Sequence, residues 1–225
     1  MNKIFSFIFA RGGSKGIKNK NIIKINGKPL IYYSILLAKK ISGKNVYVST
    51  DSLRIKNISE KYGASVIMRP KNISKDKSIE IFAWKHAVKY LNKKNIFFDT
   101  FLSLPTTSPL RNLYDIKKAV TLLKKCDFVV TGNISKRSPW FNMVQADKYM
   151  NVDLLIKKKE IFNRRQDVPK TYDLTTVAYV AKASYILSMK SIFDGVVKLS
   201  EVPVIRALDI DDKFDLKIAK LFMKR

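Results

Sequence analysis

The 225-residue sequence contains very little cysteine and histidine. Cys126 and His86 stand alone, which excludes an internal disulfide and a zinc site built from several cysteines. Any bound metal therefore needs oxygen ligands. The early apolar run from Ile4 to Ala10 is too short to span a bilayer, and Arg11 follows it where a cleavage site would need small residues. We expect a cytoplasmic protein without a membrane segment.

Acidic residues are also scarce, with 18 Asp and Glu against 44 Lys and Arg, which gives a net charge of +26. The usual partners of such a charge are nucleic acid, an anionic membrane surface or a polyphosphate substrate. Here the lysines run along the whole chain as pairs and one triplet, Lys157 to Lys159, without an arginine-rich block. This distribution favours solvated helix faces. A non-catalytic protein that binds nucleic acid is the alternative from another class.

Short apolar runs alternate with amphipathic segments, and 46% of the residues are hydrophobic. This alternation predicts βαβ crossovers and an α/β fold with a doubly wound, mostly parallel sheet. The predicted strands are Ile4 to Phe9, Val46 to Ser49, Ser65 to Met68, Phe98 to Leu104, Phe128 to Thr131, Val177 to Ala181 and Val202 to Ala207. The predicted helices open at Pro29 and cover Ser52 to Tyr62, Ile79 to Leu91, about Leu113 to Lys124 and about Lys213 to Met223.

The pattern loosens between residues 135 and 179, where polar and aromatic residues replace the strand and helix periodicity. No repeat, linker or low-complexity segment divides the chain. The simplest division is one domain over residues 1–225 with an insertion at about 135–179.

A glycine-rich loop from Ala10 to Gly16 follows the first predicted strand. Backbone amides in such a loop can wrap a phosphate, which lysines can neutralise. The spacing matches neither GxxxxGK[ST] nor GxGxxG, and a glycine-rich turn with incidental lysines is the alternative. In a doubly wound sheet, ligands bind outside the carboxyl ends of the strands. We therefore expect the loops at Ala10, Asp51 and Leu104 to lie together.

Ordered motifs along nearly the whole chain carry a family resemblance. They are the segment from Ala10 to Asn21, Val46 to Ser52, Met68-Arg69-Pro70, Thr107 to Arg111, Arg165-Gln166 with Pro169 and Tyr172, and Asp209-Ile210-Asp211. In this order and spacing, the sequence resembles the acylneuraminate cytidylyltransferases, the CMP-sialic acid synthetases. The resemblance implies a Rossmann-like fold of the nucleotide-diphospho-sugar transferase type, with an insertion that makes a homodimer.

The resemblance also implies a reaction in which CTP and a nonulosonic acid give a CMP-sugar and pyrophosphate. The implied catalytic residues are Arg11, Lys20 and Asp211. The implied nucleotide contacts are Ala10, Arg11, Ser14, Lys20, Asn21, Arg69, Ser78 and Thr106. The implied sugar contacts are Arg164, Arg165, Gln166 and Tyr179. Arginine and lysine suit this chemistry, because nucleotidyl transfer needs positioning and cationic stabilisation of phosphate oxygens.

Asp209 and Asp211 are the predicted metal ligands. They are two residues apart after a predicted strand, and if that strand continues, both carboxylates point to one side. Such a pair suits one Mg²⁺ that also binds substrate phosphates; aspartates that merely solvate a loop are the alternative. Asp212 and Asp215 are instead expected to cap the last helix.

Two departures from the family pattern leave the acceptor open. Leu104-Pro105-Thr106 stands where the family has Gln before Pro-Thr-Ser-Pro, and Thr175-Thr176 stands where many members have Asn-Gly. Another acid sugar, such as 3-deoxy-octulosonate, therefore remains an alternative acceptor. Cys126, His86 and Trp84 are expected to have structural roles.

Overall fold

The computed structural model describes residues 3–13, 16–70, 73, 80–157, 162 and 164–223. The predictions for Ser14, Ser78 and the side chain of Arg165 fall outside what is described. The strands are β1 (Ile4–Phe9), β2 (Lys24–Ile25), β3 (Lys28–Pro29), β4 (Val46–Thr50), β5 (Ser65–Met68), β6 (Thr100–Ser103), β7 (Phe128–Ile134), β8 (Val144–Ala146), β9 (Val152–Leu154), β10 (Tyr172–Lys182) and β11 (Val197–Glu201). The helices are α1 (Leu30–Ser42), α2 (Leu53–Lys61), α3 (Glu80–Asn92), α4 (Leu113–Leu122), α5 (Ala183–Ser188) and α6 (Lys213–Phe222).

Within the described residues, seven strands form one sheet in the order β11-β7-β10-β6-β1-β4-β5. Strand β10 is antiparallel to β6 and β7, and every other neighbouring pair in this sheet is parallel. The predicted doubly wound, mostly parallel sheet is confirmed. Its parallel strands bring their carboxyl ends, and the loops that follow them, to one edge.

Local sequence signals account for several element boundaries. Asn26 and Gly27, with φ of 48° and 75°, make the turn between β2 and β3. Pro29, with φ of −65°, stands directly before α1. The Ser52 side chain accepts from the amide of Ile55 and caps α2.

The two faces of the sheet bury different side chains. On β1, Ile8 packs in the layer that contains α1, whereas Phe5 and Phe7 pack in the layer that contains α3. Trp84 of α3 is 2% exposed and stacks on Phe128 with ring centroids 5.9 Å apart. The packing role predicted for Trp84 is confirmed.

The predicted strand from Val202 to Ala207 is wrong. Strand β11 ends at Glu201, and a 3₁₀ turn covers Val204–Arg206. Pro203 explains the change, because it has no amide hydrogen for the sheet and its φ of −63° suits the start of a turn. Asp209 and Asp211 consequently lie in the loop before α6 and not at the end of a strand.

The irregular stretch at residues 135–179 contains the hairpin of β8 and β9, which form their own two-stranded sheet. Its last residues, from Tyr172 onward, belong to β10 of the central sheet. None of the helices in the described part of the chain has both the length and the apolar character needed to cross a bilayer.

Candidate active site

Loops that follow β1, β4 and β6 meet at the carboxyl edge of the sheet, as expected. The amide of Gly12 donates to Asp51 Oδ1 at 2.8 Å. The loop after β1 is also joined to the loop after β6, because Asn21 Nδ2 donates to the Arg11 carbonyl at 2.9 Å and Thr106 Oγ1 donates to Asn21 Oδ1 at 2.5 Å. Asp51, Asn21 and Thr106 thus hold the glycine-rich loop in place.

The Asn21 amide group is engaged on both sides by these two hydrogen bonds, and Asn21 is buried. Its role in this structure is to support the loop that carries Arg11. Ala10 is fully buried directly after β1, where it packs in the same layer as Ile8 and α1.

Lys20 joins the glycine-rich loop to the aspartate motif near the carboxyl terminus. Its Nζ donates to the Ile210 carbonyl at 2.6 Å and to Asp211 Oδ1 at 3.1 Å. Gly16 approaches the same loop so closely that an added Cβ would clash with the Asp211 carbonyl oxygen. The amide of Ile210 donates to the Thr107 carbonyl at 2.9 Å, which ties this loop to the one after β6.

Asp209 supplies an anionic oxygen that the fold leaves unsatisfied. Its Oδ1 is buried and has no hydrogen-bond partner among the described residues. A buried carboxylate oxygen without a donor is costly unless a cation satisfies it. No group of three or more His, Cys, Asp or Glu side chains in the described residues is arranged to hold a metal. The donor set that fits a hard cation is therefore Asp209 and Asp211 completed by substrate phosphates and water.

Arg69 lies at the carboxyl end of β5 and its guanidinium is anchored to β4. Nε donates to Ser49 Oγ at 3.2 Å and Nη2 donates to the Ser49 carbonyl at 2.9 Å. The guanidinium carbon lies 5.9 Å from the centroid of the Phe9 ring. Burial lowers the pKa of Arg69, while the nearby carboxylates of Asp51 and Glu80 raise it.

Glu80 and Tyr179 border the same cleft. Trp84 Nε1 donates to Glu80 Oε1 at 3.1 Å. The Glu80 residue is exposed. Desolvation by the surrounding protein nevertheless raises its pKa, and the hydrogen bond from Trp84 and the charge of Arg69 partly oppose this rise. Burial, followed by the charges of Glu80 and Asp209, raises the pKa of Tyr179 to about 12. The Tyr179 hydroxyl is therefore neutral near pH 7.

Arg111 is a buried cation behind the cleft, and its described hydrogen bonds are all made to oxygen atoms of the protein. Nη1 donates to the Val177 carbonyl at 2.7 Å, and Nη2 donates to Ser34 Oγ at 2.6 Å and to the Pro105 carbonyl. Burial lowers its pKa to about 9, and Asp209 opposes this shift. Arg111 connects the loop after β6 to the irregular part of β10, where the register shifts between Thr175 and Tyr179.

The predicted sugar contacts at 164–166 are not joined to this cluster by any hydrogen bond in the described part of the chain. Arg164 Nε pairs with Asp167 Oδ2 at 3.1 Å inside its own turn, and Gln166 is exposed. The structure therefore brings together Arg11, Lys20, Asn21, Arg69, Thr106, Tyr179, Asp209 and Asp211.

Three residues in or directly behind the cleft were not predicted as site residues from the sequence. Asp51 and Arg111 lie inside quoted motifs, so their motif positions were the available signal. Glu80 has no such signal, because a glutamate in the first turn of a helix is ordinary.

The parallel sheet, the glycine-rich loop after β1 and the cations around it together define a nucleotidyltransferase. A family model described as "Cytidylyltransferase" matches residues 6–199. The chain belongs to the cytidylyltransferase family.

Named relatives match the chain over nearly its full length. It is 35% identical to "Post-translational flagellin modification protein B" of Campylobacter coli, covering 100% of this chain and 96% of that protein. It is 35% identical to "CMP-N,N'-diacetyllegionaminic acid synthase" of Campylobacter jejuni, covering 99% and 96%. The solved structure of a CMP:2-keto-3-deoxy-manno-octonic acid synthetase complexed with CTP has a TM-score of 0.69 at 15% identity and covers 98% of both chains. At that identity, the likeness concerns the fold alone.

Proposed function

We propose that this enzyme transfers CMP from CTP to a nonulosonic acid and releases pyrophosphate. The observation that carries the proposal is the glycine-rich loop, which Asn21 and Thr106 hold from one side and which Lys20 joins to Asp211 on the other. Full-length relatives named for diacetyllegionaminic and pseudaminic acids, at 35% and 31% identity, support an acid-sugar acceptor.

In the proposed reaction, the anomeric hydroxyl oxygen of the sugar attacks the α-phosphorus of CTP. The bond from that phosphorus to the β-phosphate oxygen breaks, pyrophosphate leaves and the hydroxyl proton is released to solvent. Negative charge grows on the phosphate oxygens during this step. Arg11 and Lys20 stabilise it, Arg11 through a forked guanidinium and Lys20 as a point charge.

We assign Mg²⁺ to Asp209 and Asp211, because hard cations prefer oxygen ligands and Asp209 Oδ1 is buried without a donor in the described residues. When bound, the ion would neutralise phosphate charge. Lys20 Nζ lies 3.1 Å from Asp211 Oδ1, which fixes this carboxylate beside the glycine-rich loop.

Two adjacent aspartates provide a matched test of the metal assignment. Asp211→Asn should lower turnover by roughly 100-fold and raise the Mg²⁺ concentration required, since the amide loses the charge that the cation needs. Asp212→Asn should change little, because Asp212 Oδ1 only caps α6 by accepting from the amides of Phe214 and Asp215 at 2.7 and 2.9 Å. Initial rates against Mg²⁺ concentration, with melting curves, distinguish them. Equal effects, or a critical Asp212, would contradict the assignment.

The reaction is tested by pyrophosphate release from CTP, ATP, GTP and UTP with neuraminic, legionaminic and pseudaminic acids and 3-deoxy-octulosonate. We expect release with CTP and at least one nine-carbon acid, and little release with the eight-carbon acid. Arg11→Ala, folded as judged by melting, is the inactive control. Equal use of all four nucleotides, or no release with any acid, would reject the proposal.

We further propose a homodimer formed through the hairpin of β8 and β9. Its apolar side chains are unusually open for a monomer, with Val144 56% and Val152 59% exposed. In such a dimer, the exposed turn with Arg164 and Gln166 can reach the partner's cleft, which would give these predicted sugar contacts a role. Val144→Asp combined with Val152→Asp should convert the dimer to a less active monomer in analytical ultracentrifugation. A wild-type monomer with full activity would contradict this.

A further inference from the structure

Strand β10 contains extra residues where it passes the cleft. Thr175 pairs with Thr131 of β7. Tyr179 pairs with Val130, which is the residue directly before Thr131. Residues 176–178 therefore stand opposite no residue of β7 and form a bulge in β10. Bulges beside active sites commonly redirect a side chain.

The bulge determines which face of the sheet Tyr179 occupies. Side chains alternate between the two faces along a regular strand, so residues four apart share a face. If β10 continued regularly from Thr175, Tyr179 would lie on the face of Thr175. Instead, Tyr179 packs with Val130 in the layer that contains α3, and its ring centroid lies 5.4 Å from that of Trp84. The bulge thus places Tyr179 on the side of the sheet where it borders the cleft.

One hydroxyl group of β7 stabilises this bulge. Thr131 is fully buried, and its Oγ1 accepts from the Ala178 amide at 3.1 Å and from Thr175 Oγ1 at 2.9 Å. Its own proton is donated to the Ala178 carbonyl at 3.0 Å or to the Thr175 carbonyl at 3.2 Å. A bulge removes backbone groups from the ladder of the sheet, and buried groups then need another partner. Thr131 supplies that partner.

The other contacts of the bulge come from the loop after β6. Arg111 Nη1 donates to the Val177 carbonyl at 2.7 Å, and Thr176 Oγ1 lies 2.6 Å from Ser108 Oγ. Arg111 also binds oxygen atoms outside the bulge. The described hydrogen bonds of the Thr131 side chain, in contrast, are all made to β10 at the bulge. A change at Thr131 therefore tests the bulge by itself.

We propose that Thr131 is a positioning residue, whose hydroxyl stabilises the bulge in β10 and thereby directs Tyr179 to the cleft. This inference rests on the proposed function, in which Tyr179 is a predicted contact of the acid sugar. Thr131 is fully buried, so it acts through Tyr179 and touches no substrate. Such an indirect role matters because a misplacement of about 1 Å in an active site lowers a rate by up to roughly 100-fold.

Thr131→Val is the first variant, because valine has nearly the same shape and lacks the hydroxyl. In pyrophosphate release at saturating CTP, kcat/KM for the acid sugar should fall by about tenfold or more. Thr131→Ser keeps the hydroxyl and should recover most of this loss. Thr100→Val is the matched control, since Thr100 is 2% exposed and lies at the start of β6, away from the cleft. Melting curves check that each variant is folded.

A double-mutant cycle with Tyr179→Phe separates positioning from a general loss of stability. Phenylalanine keeps the ring beside Trp84 and removes the hydroxyl. If Thr131 acts through Tyr179, Thr131→Val should cost much less in the Tyr179→Phe background than alone, because the group that it positions is already absent. Additive losses in kcat/KM would overturn the positioning role.

Amide hydrogen exchange measured by NMR tests the bulge without the reaction. The Ala178 amide should exchange at least about tenfold faster in Thr131→Val, because it loses its acceptor and its protection. The Val180 amide, in the regular part of β10 between β6 and β7, is the reference. Unchanged protection of Ala178 would overturn the role of the hydroxyl. Wild-type protein that releases no pyrophosphate with any acid would instead reject the proposed function, and the exchange result would still decide whether the hydroxyl stabilises the bulge.

Discussion

Replacing Arg111 with alanine should destabilise the fold and slow the reaction, although Arg111 does not face the cleft. The side chain is 6% exposed. It donates to the Val177 carbonyl at 2.7 Å, to Ser34 Oγ at 2.6 Å and to the Pro105 carbonyl, with a longer bond of 3.3 Å to the Thr176 carbonyl. Alanine would remove every one of these donors at once.

The magnitude follows from the acceptors that are left behind. A buried acceptor without a donor costs about 1–3 kcal/mol. The Val177 carbonyl and Ser34 Oγ would lose the donor that Arg111 supplies, whereas the Pro105 carbonyl would keep the Ser34 hydroxyl at 3.2 Å. The removal of a buried cation, whose pKa burial lowers to about 9, offsets part of this cost. We expect a net loss of about 3 kcal/mol in the free energy of unfolding. For 225 residues, such a loss corresponds to a melting temperature lower by roughly 6–12 °C.

The assay is urea unfolding followed by circular dichroism, together with kcat and KM for pyrophosphate release. Arg111→Lys should be intermediate, because an ammonium cannot reach both sides of the fork. Arg54→Ala, at an exposed position on α2, is the control. A loss below about 1 kcal/mol for Arg111→Ala would refute the reasoning, because it would mean that the acceptors find other donors.

Two other predictions test the close approach of the loops and the single histidine. Gly16→Ala should lower turnover while the chain still folds. The added Cβ would collide with the Asp211 carbonyl oxygen and separate the glycine-rich loop from the loop that carries Asp209 and Asp211. Wild-type kinetics in this variant would contradict the contact. Burial, then Arg69 and Lys93, lowers the pKa of His86, so its ring proton signal in NMR should titrate below the usual histidine range. The unfolded state then takes up the proton first, and acidification through that range should remove stability; a titration at or above the usual pKa would contradict it.

Local sequence patterns were sufficient to predict six of the seven strands of the central sheet, but not β11. Each parallel strand is a short apolar run between turn residues, and Ile4–Phe9 was predicted with the boundaries that the structure has. The failure at 202–207 is local as well. Pro203 stops the sheet inside an apolar run, so the run alone was the wrong guide.

In the site, the motifs could be predicted from the sequence, but the contacts between them could not. The glycine-rich loop and the aspartate motif carry their own signals. The hydrogen bond of Lys20 to Asp211, however, joins residues 191 positions apart and depends on tertiary packing that no spacing encodes. Glu80 was missed for the same reason, since only the fold sets it beside Arg69 and Asp209.

The excess of lysine is a poor guide to this cleft, and the scarce carboxylates are a better one. Long phosphate backbones favour rows of cations, whereas the described cations Lys20 and Arg69 of this cleft each have acids nearby. Asp51 accepts from the Gly12 amide, the charges of Asp51 and Glu80 both act on Arg69, and Asp211 pairs with Lys20. In a chain with 18 acids among 225 residues, this pairing of opposite charges suits a small charged ligand better than a long polyanion.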